Sequence, residues 1–216
     1  MANVLIEEQT MKDIGNAIRE KSGTEKKLKP YEMPKAIGDI PSVIYPEQYF
    51  SVPRFATRTS QMFREASKLT DFTLDFSVAE NLAYCNTMFQ QSSAKTIKII
   101  GWSQKRIYAQ DMFREEYSLT AITGTPFDGT KMYSYLAAFI YMPKLKEIRF
   151  VPNTLSESIK FSHSSVLSDE SVQSIIDGLA DLTGKTAQII YFHASVVKRL
   201  TDKQLQQISS KNWSIG

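Results

Sequence analysis

One cysteine, two histidines and no long apolar run: the 216-residue chain is bounded first by what it lacks. With Cys85 alone, an intrachain disulfide is excluded, and His163 and His193 cannot complete a familiar cysteine and histidine zinc site with it. Stability must come from packing. No stretch approaches the roughly 18 apolar residues of a membrane span, so no membrane insertion is expected. The opening MANVLIEEQT lacks the basic start, apolar centre and small-residue cleavage site of a secretory signal. The expectation is a chain made in the cytoplasm and used without signal-peptide export. A Walker loop, a dinucleotide fingerprint, a zincin helix motif and a calcium loop are all missing, and neither a cofactor nor a metal is expected. No G-x-S-x-G elbow is present; His163 in FSHSS and His193 in YFHAS sit near serines with nothing to fix a third partner, and both read as structural or surface residues. The 23 acids offer no pair that sequence alone can single out for glycoside hydrolysis. Charged residues are ordinary in number at 23%, but the net charge is small and localised. Residues 12 to 36 hold seven Lys/Arg and four Asp/Glu, which accounts for the whole net charge of +3. A neutral remainder argues against a nucleic-acid partner, which would call for a basic face.

What the chain has is repetition. QMFREASKLTDF (61 to 72) and DMFREEYSLTAI (111 to 122) agree at six of twelve positions, and TMFQQSSAKTIKII (87 to 100) and AAFIYMPKLKEIRF (137 to 150) are looser copies. Their phenylalanines, Phe63, Phe89, Phe113 and Phe139, are 26, 24 and 26 residues apart. A period near 25 matches units of one short strand plus a helix or tight turn. The downstream halves LTDFTLDF, TIKII, LTAITG and LKEIRF alternate apolar and polar residues, predicting strands with Leu69, Leu119, Leu145, Ile148 and Phe150 facing inward. The upstream halves predict a helical turn or short helix, with Leu82, Cys85 and Phe89, and likewise Met132, Leu136 and Phe139, on an apolar stripe. Each repeat phenylalanine then plugs the layer between turn and strand. Lys95 stands where Leu69 and Leu119 do, which predicts a strand shifted by one residue or lying at a looser edge. Arg64 with Glu65, and Arg114 with Glu115, read as a solvated repeat edge, and Cys85 as a small core hydrophobe.

The flanks differ. In residues 1 to 40, Thr10 caps a short helix that places Met11, Ile14 and Ile18 on one face, and a second helix from Pro34 aligns Met33, Ile37 and Ile40. This module is either a cap or a docking and oligomerisation arm. Residues 41 to 55, with three prolines, read as an extended connector, and 56 to 154 as the repeat array. Residues 155 to 216 read as C-terminal helix and strand capping repeats. Ser168 caps a helix carrying Val172, Ile175, Ile176 and Leu179 inward, with Gly184 just past its end. TAQIIYFHASV follows as a buried strand, then a helix with a Thr201 and Gln204 capping box and Leu205 and Ile208 inward, then a short strand at WSI. The fold class is α/β: a leucine-rich-repeat-like solenoid with a small N-terminal helical module. Tyr108, Tyr117, Tyr133, Tyr135 and Tyr141 crowd the repeats, either as packing or as a surface that stacks on sugars or meets protein partners.

The recurring MF followed by LT.I or L..I.F resembles the surface-antigen (BspA-like) type of leucine-rich repeat, found in bacterial surface proteins and bacteriophage structural proteins. IGNAIREKSGTEKKLKPYEMPKAIGDI and LTDKQLQQISSKNWSI are similar to the beginning and close of many phage tail and appendage proteins. The resemblance implies a non-enzymatic component of the virion, in tail, baseplate or head fibre. It implies an N-terminal module that docks on other virion proteins and repeats that face a host cell-surface glycan or protein. It also implies a homo-oligomer, commonly a trimer in such fibres. The alternatives are a bacterial cell-surface adhesin, disfavoured by the missing signal and anchor, and a virion-associated cell-wall or capsule hydrolase.

Overall fold

The computed structural model describes residue 16 and residues 48 to 216. The readings at Met11, Ile14, Ile18, Met33, Ile37 and Ile40 lie outside them. The chain divides into two compact units, Met1–Tyr45 and Pro46–Gly216, and the second is a mixed α/β unit of small parallel sheets with few helices. Units of near-constant length bring equivalent residues side by side, and parallel pairing is the result because each strand begins again only after a full return.

Strands β1 (Gln48–Ser51), β2 (Asp71–Asp75), β3 (Thr96–Ile100) and β5 (Ala121–Gly124) form one sheet in the order β1-β2-β3-β5. Phe72 lies beside Ile97 and Ile97 beside Ile122, so the inward positions form continuous rows. Strands β4 (Ile107–Tyr108) and β6 (Met132–Tyr133) make a second sheet. A third contains β7 (Ile159–Phe161), β8 (Gln188–Phe192) and β9 (Trp213–Ile215). Part of the stretch read as a connector is therefore strand β1. LKEIRF is less regular than its alternation predicts, joining its neighbours through isolated bridges at Glu147 and Phe150. Leu145, Ile148 and Phe150 are nevertheless buried. In the second repeat, pairing of Asp71 with Thr96 and of Thr96 with Ala121 puts Ala94, fully buried, on the row of Leu69 and Leu119, and leaves Lys95 in solvent. The strand is shifted by one residue.

The upstream halves are turns, not helices. Their backbone donors reach sideways to the next unit: Phe63 N–H to Met88 O at 2.8 Å, Phe89 N–H to Met112 O at 2.9 Å, and Phe113 N–H to Ala138 O at 3.0 Å. A helix would direct these donors back along its own chain. The turns close with left-handed residues on both sides of the phenylalanine, at Gln61 and Glu65, Thr87 and Gln91, and Asp111 and Glu115. Leu136 consequently misses the apolar stripe and is 40% exposed, while its neighbour Tyr135 is fully buried.

Phe63, Phe89, Phe113 and Phe139 stack with near-parallel rings, centroids 5.1, 5.4 and 5.8 Å apart, and the column continues through Phe161 and Phe192. A second column, Phe76, Trp102, Phe127 and Phe150, packs against it edge to face. Phe63, at the start of its column, is only partly buried.

Helix α1 (Asp169–Gly178) is capped by Ser168 as its sequence predicts, but ends six residues before Gly184. Gly178 O accepts from Thr154 and Leu155 N–H, and Ala180 N–H donates to Leu155 O, so a parallel bridge to Leu155 pulls the chain out of the helix. Lys211 Nζ donates to Asp177 O at 3.2 Å and Leu179 O at 2.6 Å, covering the helix end. After the short α2 (Ala194–Val197), α3 (Asp202–Ser210) starts with the Thr201 and Gln204 capping box in place. Ile208 is buried, whereas Leu205 is 41% exposed: with α3 packed through one narrow stripe, the position three residues earlier turns outward. The β8 strand is half-buried in alternation and not enclosed on both faces.

Candidate ligand-binding face

Five residues before Phe89 and Phe113, and six before Phe139, the chain places Tyr84, Tyr108 and Tyr133. Parallel bridges set them in register, Arg58 beside Tyr84, Tyr84 beside Tyr108 and Tyr108 beside Tyr133. Their rings form an outward column with centroids 6.3 and 5.3 Å apart. Arg58 lies over the Tyr84 ring at 4.6 Å and Arg106 over Tyr133 at 5.5 Å. Tyr84 is exposed and the other two are half-buried. Such a row presents flat, polarisable faces with polar tips, one per repeat.

A groove of about 470 Å³ adjoins the column, bordered by Gln110, Ser134, Leu136, Ala137, Glu157 and Gln188 among others. Two contacts make the surfaces continuous: the Tyr108 hydroxyl donates to Gln110 Oε1, and the Arg106 guanidinium stands 3.9 Å from Glu157 Oε1. Arg106 also donates to Met132 O, so its charge is held by the protein. Glu157 Oε2 accepts from Ser134 N–H at 2.8 Å. Gln188 Oε1 accepts from both Ser158 N–H and Ser158 Oγ at 2.8 Å, fixing the orientation of its amide.

Of the five tyrosines singled out by sequence, Tyr108 and Tyr133 meet on this face. Tyr135 does not, because its ring fills the core, its oxygen accepts from Ser156 and Glu157 N–H at 2.9 Å, and burial pushes its phenol above the ordinary value. Tyr141 packs on His163, centroids 4.0 Å apart, beneath Arg114. Tyr117 is 54% exposed beside the turn of Glu115. Tyr84 was missed by composition, yet aligning the units on their phenylalanines would have found it.

Among the described residues, His163 Nδ1 lies 3.1 Å from Ser162 Oγ and His193 Nδ1 lies 2.8 Å from Ser195 Oγ, and no carboxylate is hydrogen-bonded to either imidazole. His193 Nδ1 caps α2 by accepting from Ser195 N–H, while Ser195 Oγ donates to Ser165 O at 2.9 Å. Cys85 is fully buried with its sulfur 3.2 Å from Thr59 Oγ1, and burial pushes the thiol up to about 12. Arg64 and Glu65 pair in solvent, whereas Arg114 and Glu115 pair at 3.0 Å on a half-buried edge. Among the described residues, no group of three or more metal-binding side chains occurs, and no helix is long and apolar enough to cross a membrane. No protein-family model, curated protein or solved structure matches the chain.

Proposed function

We propose that this chain is a non-enzymatic repeat protein, a leucine-rich-repeat-like solenoid whose tyrosine face binds a host-surface glycan. The single observation behind the binding role is the Tyr84, Tyr108 and Tyr133 column opening onto a polar groove. Sugar rings present apolar C–H faces that stack on aromatic rings and hydroxyls that pair with planar amide and carboxylate groups. The spacing of equivalent bonds by 24 to 26 residues supports the solenoid reading, since each turn donates to the next.

The setting comes from the sequence resemblance: a bacteriophage tail, baseplate or head-fibre component, with residues 1 to 40 docking on other virion proteins and several copies assembled together. Multiple identical faces would turn weak sugar contacts into firm attachment. Purified full-length protein applied to immobilised host envelope glycans should be retained, and Tyr108→Ala should weaken retention by about fivefold, since stacking is worth on the order of 1 kcal/mol per ring. Wild-type protein that binds no envelope glycan would sink the reading. Mass spectrometry of purified particles tests the setting separately, and a particle that assembles the chain equally well without residues 1 to 40 would remove the docking role.

A further inference from the structure

Resting on the glycan reading, we infer that the groove beside the tyrosine column takes the acetamido group of an N-acetylated hexosamine. Three properties of its lining converge on that group. The first is a donor without a partner. Gln188 Oε1 is occupied by the Ser158 N–H, which can only donate, so the amide cannot be turned round, and Gln188 Nε2 has no hydrogen-bond partner among the described residues. The second is an acceptor with capacity to spare. Glu157 takes one hydrogen bond from Ser134 N–H and a distant ion pair from Arg106, and an ionised carboxylate accommodates about four bonds. The third is an apolar wall, formed by Leu136 and Ala137, with Leu136 40% exposed.

An acetamido group offers the complement of all three: a carbonyl for the Gln188 N–H, an N–H for the Glu157 carboxylate, and a methyl for Leu136. A plain hydroxyl at the same carbon would leave the leucine wet. The groove lining holds Glu157 and no lysine or arginine. A phosphate or carboxylate substituent would therefore meet like charge. The tyrosine column carries the neighbouring sugar rings by stacking, so the groove decides which sugar and the column holds the chain.

Calorimetric titration of the full-length protein with three tetrasaccharides tests this: β-1,4-linked N-acetylglucosamine, its fully de-N-acetylated counterpart, and cellotetraose. The acetylated tetramer should bind at least about tenfold more tightly than either of the others, the size expected when a methyl site is filled and a groove donor is matched. Leu136→Ser, at an exposed position, and Gln188→Ala should each bring the affinity of the acetylated tetramer down to that of cellotetraose. Tyr108→Ala should weaken all three ligands alike. Equal affinities for the three tetramers, or a preference untouched by both groove variants, would overturn the acetamido assignment and leave the glycan reading standing. Failure of the acetylated tetramer to bind protein that is retained on host glycans would also overturn it. Failure to bind any sugar would remove both.

Discussion

Glu116 carries a charge that the fold tolerates poorly. It is fully buried one residue past the Glu115 turn, and among the described residues its carboxylate accepts only from Ser92, through N–H at 2.6 Å and Oγ at 3.0 Å. Burial dominates and pushes its pKa up to about 8 from an ordinary 4.5, against the smaller opposing effect of the Ser92 bonds. Below about 4.5 both folded and unfolded chains hold the proton. Between there and about 8 the folded chain binds more proton than the unfolded one, so stability falls as pH rises through that window and levels off above it. Glu116→Gln keeps the shape and removes the charge. It should raise unfolding free energy by roughly 2 kcal/mol at pH 7, with almost no gain at pH 4. Denaturant melts of both proteins at the two pH values check this; an equal gain at both would refute burial of the charge as the cause.

Elements are fixed by stacking and by backbone approach. Phe113 lies between Phe89 and Phe139, so Phe113→Ala opens a cavity bounded by rings on both sides and should cost about 3 to 5 kcal/mol. Phe63→Ala should cost visibly less, since Phe63 is only partly buried. Chemical unfolding monitored by circular dichroism ranks the two. Gly124, at the end of β5, has φ +84°, and a Cβ there would lie 2.1 Å from Ile99 O on the neighbouring strand. Gly124→Ala should therefore cost roughly 2 kcal/mol or more by pushing β5 from β3, although the position is solvent-exposed. Neither propensity nor hydrophobic pattern marks that glycine as different from Gly184, whose Cβ would meet nothing within 4 Å.

Across the second unit, the packed interior and the proposed binding face lie on different columns. The phenylalanine column and the Phe76 to Phe150 column supply the interior, and the tyrosine column lies at the surface. Tyr108→Ala should accordingly change the unfolding free energy by less than about 1 kcal/mol while weakening sugar binding. A variant that lost both together would place Tyr108 in the core and contradict the separation. The sequence made the repeat phase legible, and with it the four phenylalanines and the shifted second strand. Phe161 and Phe192 were hidden because they follow at intervals of 22 and 31 residues, outside the period. Leu136 departs from its expected place on the apolar stripe because helical spacing does not hold in a turn, and Tyr135, open between packing and surface in the sequence, is packed.

By itself the sequence determined the period and the caps at Ser168 and Thr201. These follow from local chemistry repeated at a constant interval. Tertiary structure alone decided that the turns bond sideways, that α1 stops at Gly178, and which tyrosines share a face. The reason is physical. Backbone donors and aromatic rings choose among partners one unit away, and only register across units makes that choice.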